Sequence, residues 1–254
     1  MHCYGDEHRL FLQIMLNRKI LSLSELKTII SFCCETYKAP FDPARDPDAV
    51  KKFIHDINAE MTAFHMRVKH GVSEDDGDHY YALVNLKDDD LSKVASKKYT
   101  ENEIHFLKKL VEKVVDSRNG SLSSIEAVNL AQGMDRFSAS DAESIIERFV
   151  QDKCLSEVSH CHCRYGCRQT LVRLQDHGLI SLSTLSIMEM EPYLQNHFGS
   201  CLTRCHACKQ ICIKGASCTS PDCELKMHFH CVRKLLRQDP AGRSCPSCGS
   251  RWQS

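Results

Sequence analysis

The chain has 254 residues, room for two or three small domains. Its 33 basic and 33 acidic residues balance, so no overall charge draws it to nucleic acid or to an anionic membrane. No uncharged apolar run approaches the roughly 18 residues of a membrane span, and the polar start MHCYGDEHRL is unlike a secretory signal.

Residues 7–17, EHRLFLQIMLN, carry Leu10, Phe11, Ile14, Met15 and Leu16 on a broad apolar stripe and predict a first helix. Ser22-x-x-Glu25 reads as a capping box that opens a second helix running to about Tyr37. The three prolines of the APFDPARDP segment predict a loop. From Asp48 to about Ala63, Val50, Phe53, Ile54, Ile57 and Met61 recur at helical spacing. FHMRVKHG then alternates as a strand, EDDGD turns the chain, and HYYALVNL returns as a second strand. Three helices and a hairpin are the pattern of a winged-helix domain, assigned to residues 1–95.

The pattern repeats over 96–198. Thr100-x-x-Glu103 opens a helix lined by Ile104, Leu107, Val111, Val114 and Val115. Ser123-x-x-Glu126 and Ser140-x-x-Glu143 open two more, the last with Ile145, Ile146, Phe149 and Val150 inward. Leu155–Val158 reads as the start of a wing, followed by an irregular insertion near 159–187. That insertion holds HCHCRYGC, where His160, Cys161, His162, Cys163 and Cys167 offer ligands for a further zinc or merely line an irregular loop. In a winged helix the third helix is the one that reads DNA. Here the third helix sets Lys51, Lys52 and His55 against Asp48, Asp56 and Glu60 in the first unit, and only Arg148 and Lys153 against Asp141, Glu143, Glu147 and Asp152 in the second. Specific DNA reading is therefore not expected, and protein contacts are favoured.

Nine of the 16 cysteines fall from Cys201 onward, so the composition shifts near residue 200, with EPYLQNHFGS as the joint. The tail, 199–254, holds four ligand pairs: Cys205/Cys208, Cys218/Cys223, His228/Cys231 and Cys245/Cys248. Eight thiolate and imidazole donors satisfy two tetrahedral zinc ions and leave no open position for a substrate water, which points to structural metal. Buried free cysteines and disulfides are the competing readings. The tail has too little apolar filling to fold unaided, and an intracellular chain keeps its thiols reduced. His230 rivals His228, but it adjoins Cys231, whereas His228 leaves the two-residue gap common between ligands. Cys201 and Cys212 fall outside the pairs.

The order of pairs resembles the interleaved RING and PHD modules. That resemblance implies one site of Cys205, Cys208, His228 and Cys231 and a second of Cys218, Cys223, Cys245 and Cys248. The Trp usual in a PHD finger before the last pair is replaced by Arg243, whereas Pro246 inside the last pair is RING-like. In RING ligases that knuckle, with the position of Ala207 and a helix carrying Leu235 and Leu236, forms the surface that grips a ubiquitin-conjugating enzyme. Ala207 is small for that surface, and Gly249 stands where ligases often place a basic residue. Such a ligase needs no catalytic side chain of its own.

Taken together, FLQIML, GVSEDDGDHYYALVNL and the run from CxxC through MHFHC to CPSC resemble the non-SMC element 1 family. The resemblance implies an α+β protein of two tandem winged helices and a small two-zinc RING-like domain. It further implies a RING-type ubiquitin ligase subunit of the SMC five–six complex, in the nucleus and on chromosomes, acting in homologous-recombination repair. A MAGE-type winged-helix partner that enhances the ligase and a kleisin-like neighbour are implied with it. The competing reading is a non-catalytic scaffold whose zinc module docks another subunit.

Overall fold

The structure is a computed structural model that describes residues 4–43, 45–86, 98–134, 137–158, 178–199, 201–238 and 244–250. Helix α1 (Asp6–Arg18) is followed by strand β1 (Ile20–Ser22), α2 (Leu23–Thr36), α3 (Ala49–Met61), β2 (Met66–Val72) and β3 (His79–Asn85). The antiparallel sheet runs β1-β3-β2, with Leu21 opposite Tyr81 and Val68 opposite Leu83. The capping box is present: the Ser22 side chain accepts from the Glu25 amide, and the Glu25 carboxylate accepts from the Ser22 amide. Phe11, Met15, Leu26, Ile30 and Ile57 are fully buried between the helices and the sheet.

Strand alternation gives β3 two apolar faces. Tyr81 and Leu83 pack on this first core, while Ala82 and Val84 point the other way, against Leu185 and Met188.

The second unit repeats the order: α4 (Glu101–Asp116), β4 (Leu122–Ser123), α5 (Ser124–Gln132), α6 (Ala139–Gln151), β5 (Leu155–Val158) and β6 (Leu179–Leu182), with sheet order β4-β6-β5. Phe106, Leu110, Phe149, Leu155, Ile180 and Leu182 form its core. Thr100 and Glu103 close the cap of α4 in both directions. Replacing Thr100 by Ala is expected to cost about 0.5–2 kcal/mol, read as a lowered midpoint in a denaturant titration at unchanged slope.

Several expectations need correction. The third helix of the second unit starts two residues early, because Ser138 caps it through Asp141 rather than Ser140 through Glu143. Either pair satisfies the box pattern, and Ala142, Ile145, Ile146 and Phe149 would be buried from either start, so the spacing alone does not choose the cap. Within the expected insertion, residues 159–177 lie outside the described residues, but 178–187 is not irregular. Strand β6 returns there, and α7 (Thr184–Glu189) follows. The expected EPYLQNHFGS joint is helix α8 (Glu191–Phe198), with Tyr193 and Leu194 buried in the second core. Its eight residues are too short to show a period, so only the core it meets makes it helical. Strands β1 and β4, at three and two residues, are likewise too short to alternate.

The units are joined. Gly71 lies so close to Met188 that a Cβ there would sit 2.6 Å from its sulfur. Lys69 pairs with Glu191. Asp152 accepts from the Tyr99 hydroxyl at 2.5 Å and from Lys98 at 3.0 Å, with Lys19 of the first unit 3.7 Å away.

Candidate metal centre

The tail has little regular structure: the two-stranded β7 (Ala216–Ser217) and β8 (Lys226–Met227), then α9 (Phe229–Gln238). Two tight knuckles hold the outer cysteine pairs. In the first, the Cys205 amide donates to Gln210 and the Lys209 amide to the Cys205 carbonyl; in the second, the Cys245 amide donates to Ser250 and the Gly249 amide to Cys245. The residue after each pair is left-handed, with φ 62° at Lys209 and 72° at Gly249. Glycine takes that backbone without a Cβ clash, which accounts for Gly249 physically.

The described residues converge in two quartets. The donor atoms of Cys205, Cys208, His228 and Cys231 all lie within 4.8 Å of one another, and so do those of Cys218, Cys223, Cys245 and Cys248. Within the second, Cys218 and Cys248 sulfurs are 3.6 Å apart and Cys223 and Cys245 are 3.8 Å apart. A tetrahedron with Zn–S bonds of about 2.3 Å has S···S edges of roughly 3.8 Å, so the spacing suits zinc. In the first, His228 Nδ1 is 3.3 Å from the Cys208 sulfur and 4.0 Å from that of Cys231. His230 is in neither quartet; its ring stacks on His228 at 5.0 Å. Cys212 is buried beside the first quartet, grouped with His228 and Glu74.

Each quartet splits its thiols. Burial opposes ionisation of Cys205, but the amides of Cys208, His228 and Ala207 pull it down to about 7. Cys231 is held up to about 11 by burial and by the neighbouring Cys205 and Cys208. In the second quartet, Ser250 draws Cys248 down to about 6. The Ser220 amide favours the Cys218 thiolate, yet desolvation and the crowding of Cys248, Cys245 and Cys223 push it up to about 12. Four thiolates so close repel one another unless a cation sits among them.

The core of the module is small: Cys205, Cys212, Cys218, Leu225, Met227, Cys231 and Cys245, with Leu235 packed at its edge. Ile211 and Ile213 instead enter the core of the second unit. Gly120, at φ 66°, lies so close that a Cβ would meet the Ile213 carbonyl at 2.4 Å. A ligand census of the sequence could not find this contact, because Ile211 and Ile213 look like ordinary filling between cysteines.

Ala207 and Pro246 are exposed on the two knuckles, while Leu235 and Leu236 are half-buried on α9. Phe229, expected as part of the tail's sparse apolar filling, is instead half exposed at the start of that helix. Arg243 and the HCHCRYGC cluster lie outside the described residues.

The lysines of α3 are occupied locally, Lys51 by Asp48 at 2.9 Å and Lys52 by Asp46 at 2.6 Å, and Arg148 on α6 pairs with Glu103 at 2.9 Å.

Residues 8–190 match the family model described as the Nse1 non-SMC component of the SMC5-6 complex, and residues 205–248 match a RING-like domain. The chain belongs to the Nse1 family. Across 97% of its length it is 30% identical to the human non-structural maintenance of chromosomes element 1 homolog, covering 84% of that protein. The fission yeast (Schizosaccharomyces pombe) element 1 is 24% identical over 80% of this chain and 77% of its own. Among solved structures, a chain of an Nse1-Nse3-Nse4 complex superposes with a TM-score of 0.81 at 27% identity, covering 100% of this chain and 99% of that one. The Nse1-family fold here is therefore α+β with a RING-like, cysteine-rich module at its carboxy end, whose clusters are compatible with zinc.

Proposed function

We propose that this Nse1-family chain is a RING-type ubiquitin ligase subunit of the SMC5-6 complex, acting on chromosomes in the nucleus in repair by homologous recombination. The observation that carries the reading is the pair of closed four-donor clusters in a RING-like module with an exposed Pro246 knuckle. The eight donors would hold two zinc ions, which supply structure and no open coordination site. A ligase of this kind orients a conjugating enzyme and its thioester-linked ubiquitin, so catalysis is positioning and no cysteine here acts as a nucleophile.

The two helical units, each ordered α-β-α-α-β-β, are read as tandem winged helices. The solved relative belongs to an Nse1-Nse3-Nse4 complex. By that likeness the winged helices bind a MAGE-type partner, with a kleisin-like subunit in the same assembly. Exposed Leu16, Phe32 and Tyr37 on the first unit supply apolar surface for such contacts.

The test is autoubiquitination by the purified chain with its MAGE-type partner across a panel of conjugating enzymes. Pro246→Ala is expected to lower product at least about tenfold, the loss of one good contact of roughly 1.4 kcal/mol, with the assembly intact. If no conjugating enzyme yields product above a Cys231→Ala control, the ligase reading is lost. A docking role is favoured instead if Pro246→Ala abolishes assembly. That second reading draws on Leu235, which is partly packed into the module's core and so less available to a conjugating enzyme.

A further inference from the structure

The turn between β2 and β3 of the first unit reaches into the cysteine-rich module. Glu74 on that turn is only 3% exposed. Its Oε1 accepts the Ile213 amide at 2.7 Å, and its Oε2 accepts the Lys214 amide at 3.1 Å. The same Oε1 lies 3.2 Å from His228 Nε2, which is also 2.8 Å from the Ile211 carbonyl. The other nitrogen of that ring, Nδ1, faces the sulfurs of Cys208 and Cys231. An imidazole that gives Nδ1 to a metal keeps its proton on Nε2, and an acceptor there fixes both tautomer and ring orientation.

We propose that Glu74 is a positioning residue for the His228 metal site, supplied by the first helical unit, so that occupancy of that site and seating of the 73–78 turn reinforce each other. A buried carboxylate is costly unless donors surround it, and two amides and an imidazole do so here. The turn is shaped for this seat. Asp75 pairs with Lys214 at 2.7 Å, and Gly77, at φ 84°, lies where a Cβ would strike the His230 ring at 2.7 Å. Coupling of this kind is reciprocal: whatever factor Glu74 adds to metal affinity, the metal adds to turn docking.

The inference rests on the ligand reading above, and the experiment separates the two. Zinc is titrated out of the full chain with a chelator while native mass spectrometry counts the ions that remain. Cobalt-substituted protein tells the site with one imidazole and three thiolates from the all-thiolate site by its absorption. The wild type is expected to hold two ions; a wild type that holds none removes the ligand reading and this inference with it. Glu74→Ala should weaken the His228 site about 10–100-fold and leave the other within about threefold. Glu74→Gln keeps an acceptor and should fall between the two; it is the variant read if Glu74→Ala does not fold. Asp75→Ala removes only a part-exposed pair with Lys214 and keeps Glu74, so it should weaken the His228 site by less than about threefold. Unchanged affinity in the Glu74 variants overturns the proposal. Equal weakening by Glu74→Ala and Asp75→Ala also overturns it, since the turn would then act through docking alone. As the reciprocal readout, chelation of the wild type should speed amide exchange in 73–78, and unchanged exchange there counts against the coupling.

Discussion

Chelation of the purified protein is expected to melt residues 201–238 and 244–250 while the helices of both units keep most of their far-ultraviolet signal. The module's described core is seven residues, four of them proposed metal ligands. Structural zinc sites contribute on the order of 10–16 kcal/mol of apparent folding free energy at neutral pH, far more than so few apolar groups provide. Because each quartet draws on two separated pairs, His228→Ala or Cys231→Ala should release more than one strand of the module. The pH dependence has a definite sign. Cys218, pushed up to about 12, and Cys231, pushed up to about 11, hold their protons through neutrality in the metal-free cluster. Zinc must displace those protons, so affinity rises with pH and falls by about tenfold per unit of acidification for each proton displaced. Proton release on zinc addition, followed in weak buffer, checks this directly. A metal-free chain that keeps full amide protection from 205 to 248 would show that the metal does not hold the module.

Phe149→Ala is expected to be the most damaging single substitution in the helical part, at about 3–5 kcal/mol. Phe149 is completely buried, meets Tyr99 edge-on at 5.0 Å and approaches Phe106 at 6.4 Å. Tyr99 in turn donates to Asp152, the acid shared by Lys98 and, more distantly, by Lys19 of the first unit. Removing the ring leaves a cavity beneath that polar joint, so the site cannot collapse freely. For a chain of this size the loss corresponds to a fall in melting temperature of roughly 6–20 °C by calorimetry. Phe149→Leu should lose less than half as much. A fall under about 3 °C for the alanine variant would mean that the second core is held chiefly elsewhere, by Leu110 and Leu155.

Features carried by neighbouring residues were readable in the chain. Capping boxes at Ser22, Thr100 and Ser123 span four residues each, and the structure forms them. The stripe of α1 and the alternation of β2 and β3 are equally local signals. The cap of α6 was misplaced because two overlapping sequences satisfy one short pattern and bury the same helix face. Strand β6 and helices α7 and α8 were missed because each is eight residues or fewer and owes its form to distant partners.

The cysteine spacing was just as local, since a knuckle is closed by residues three apart, and it marked which side chains could bind metal before any fold was known. Residue order alone therefore determined the chemistry available to this protein: its amphipathic helices, its balanced charge and its eight thiol and imidazole donors. That Ile211 and Ile213 serve another unit's core, and that Glu74 reaches His228 across 154 positions, were decided only in three dimensions. The physical reason is range. Helix caps and chelate pairs are closed by short loops at small entropic cost, whereas a buried carboxylate beside a distant imidazole exists only once two packed units have made the pocket that desolvates it.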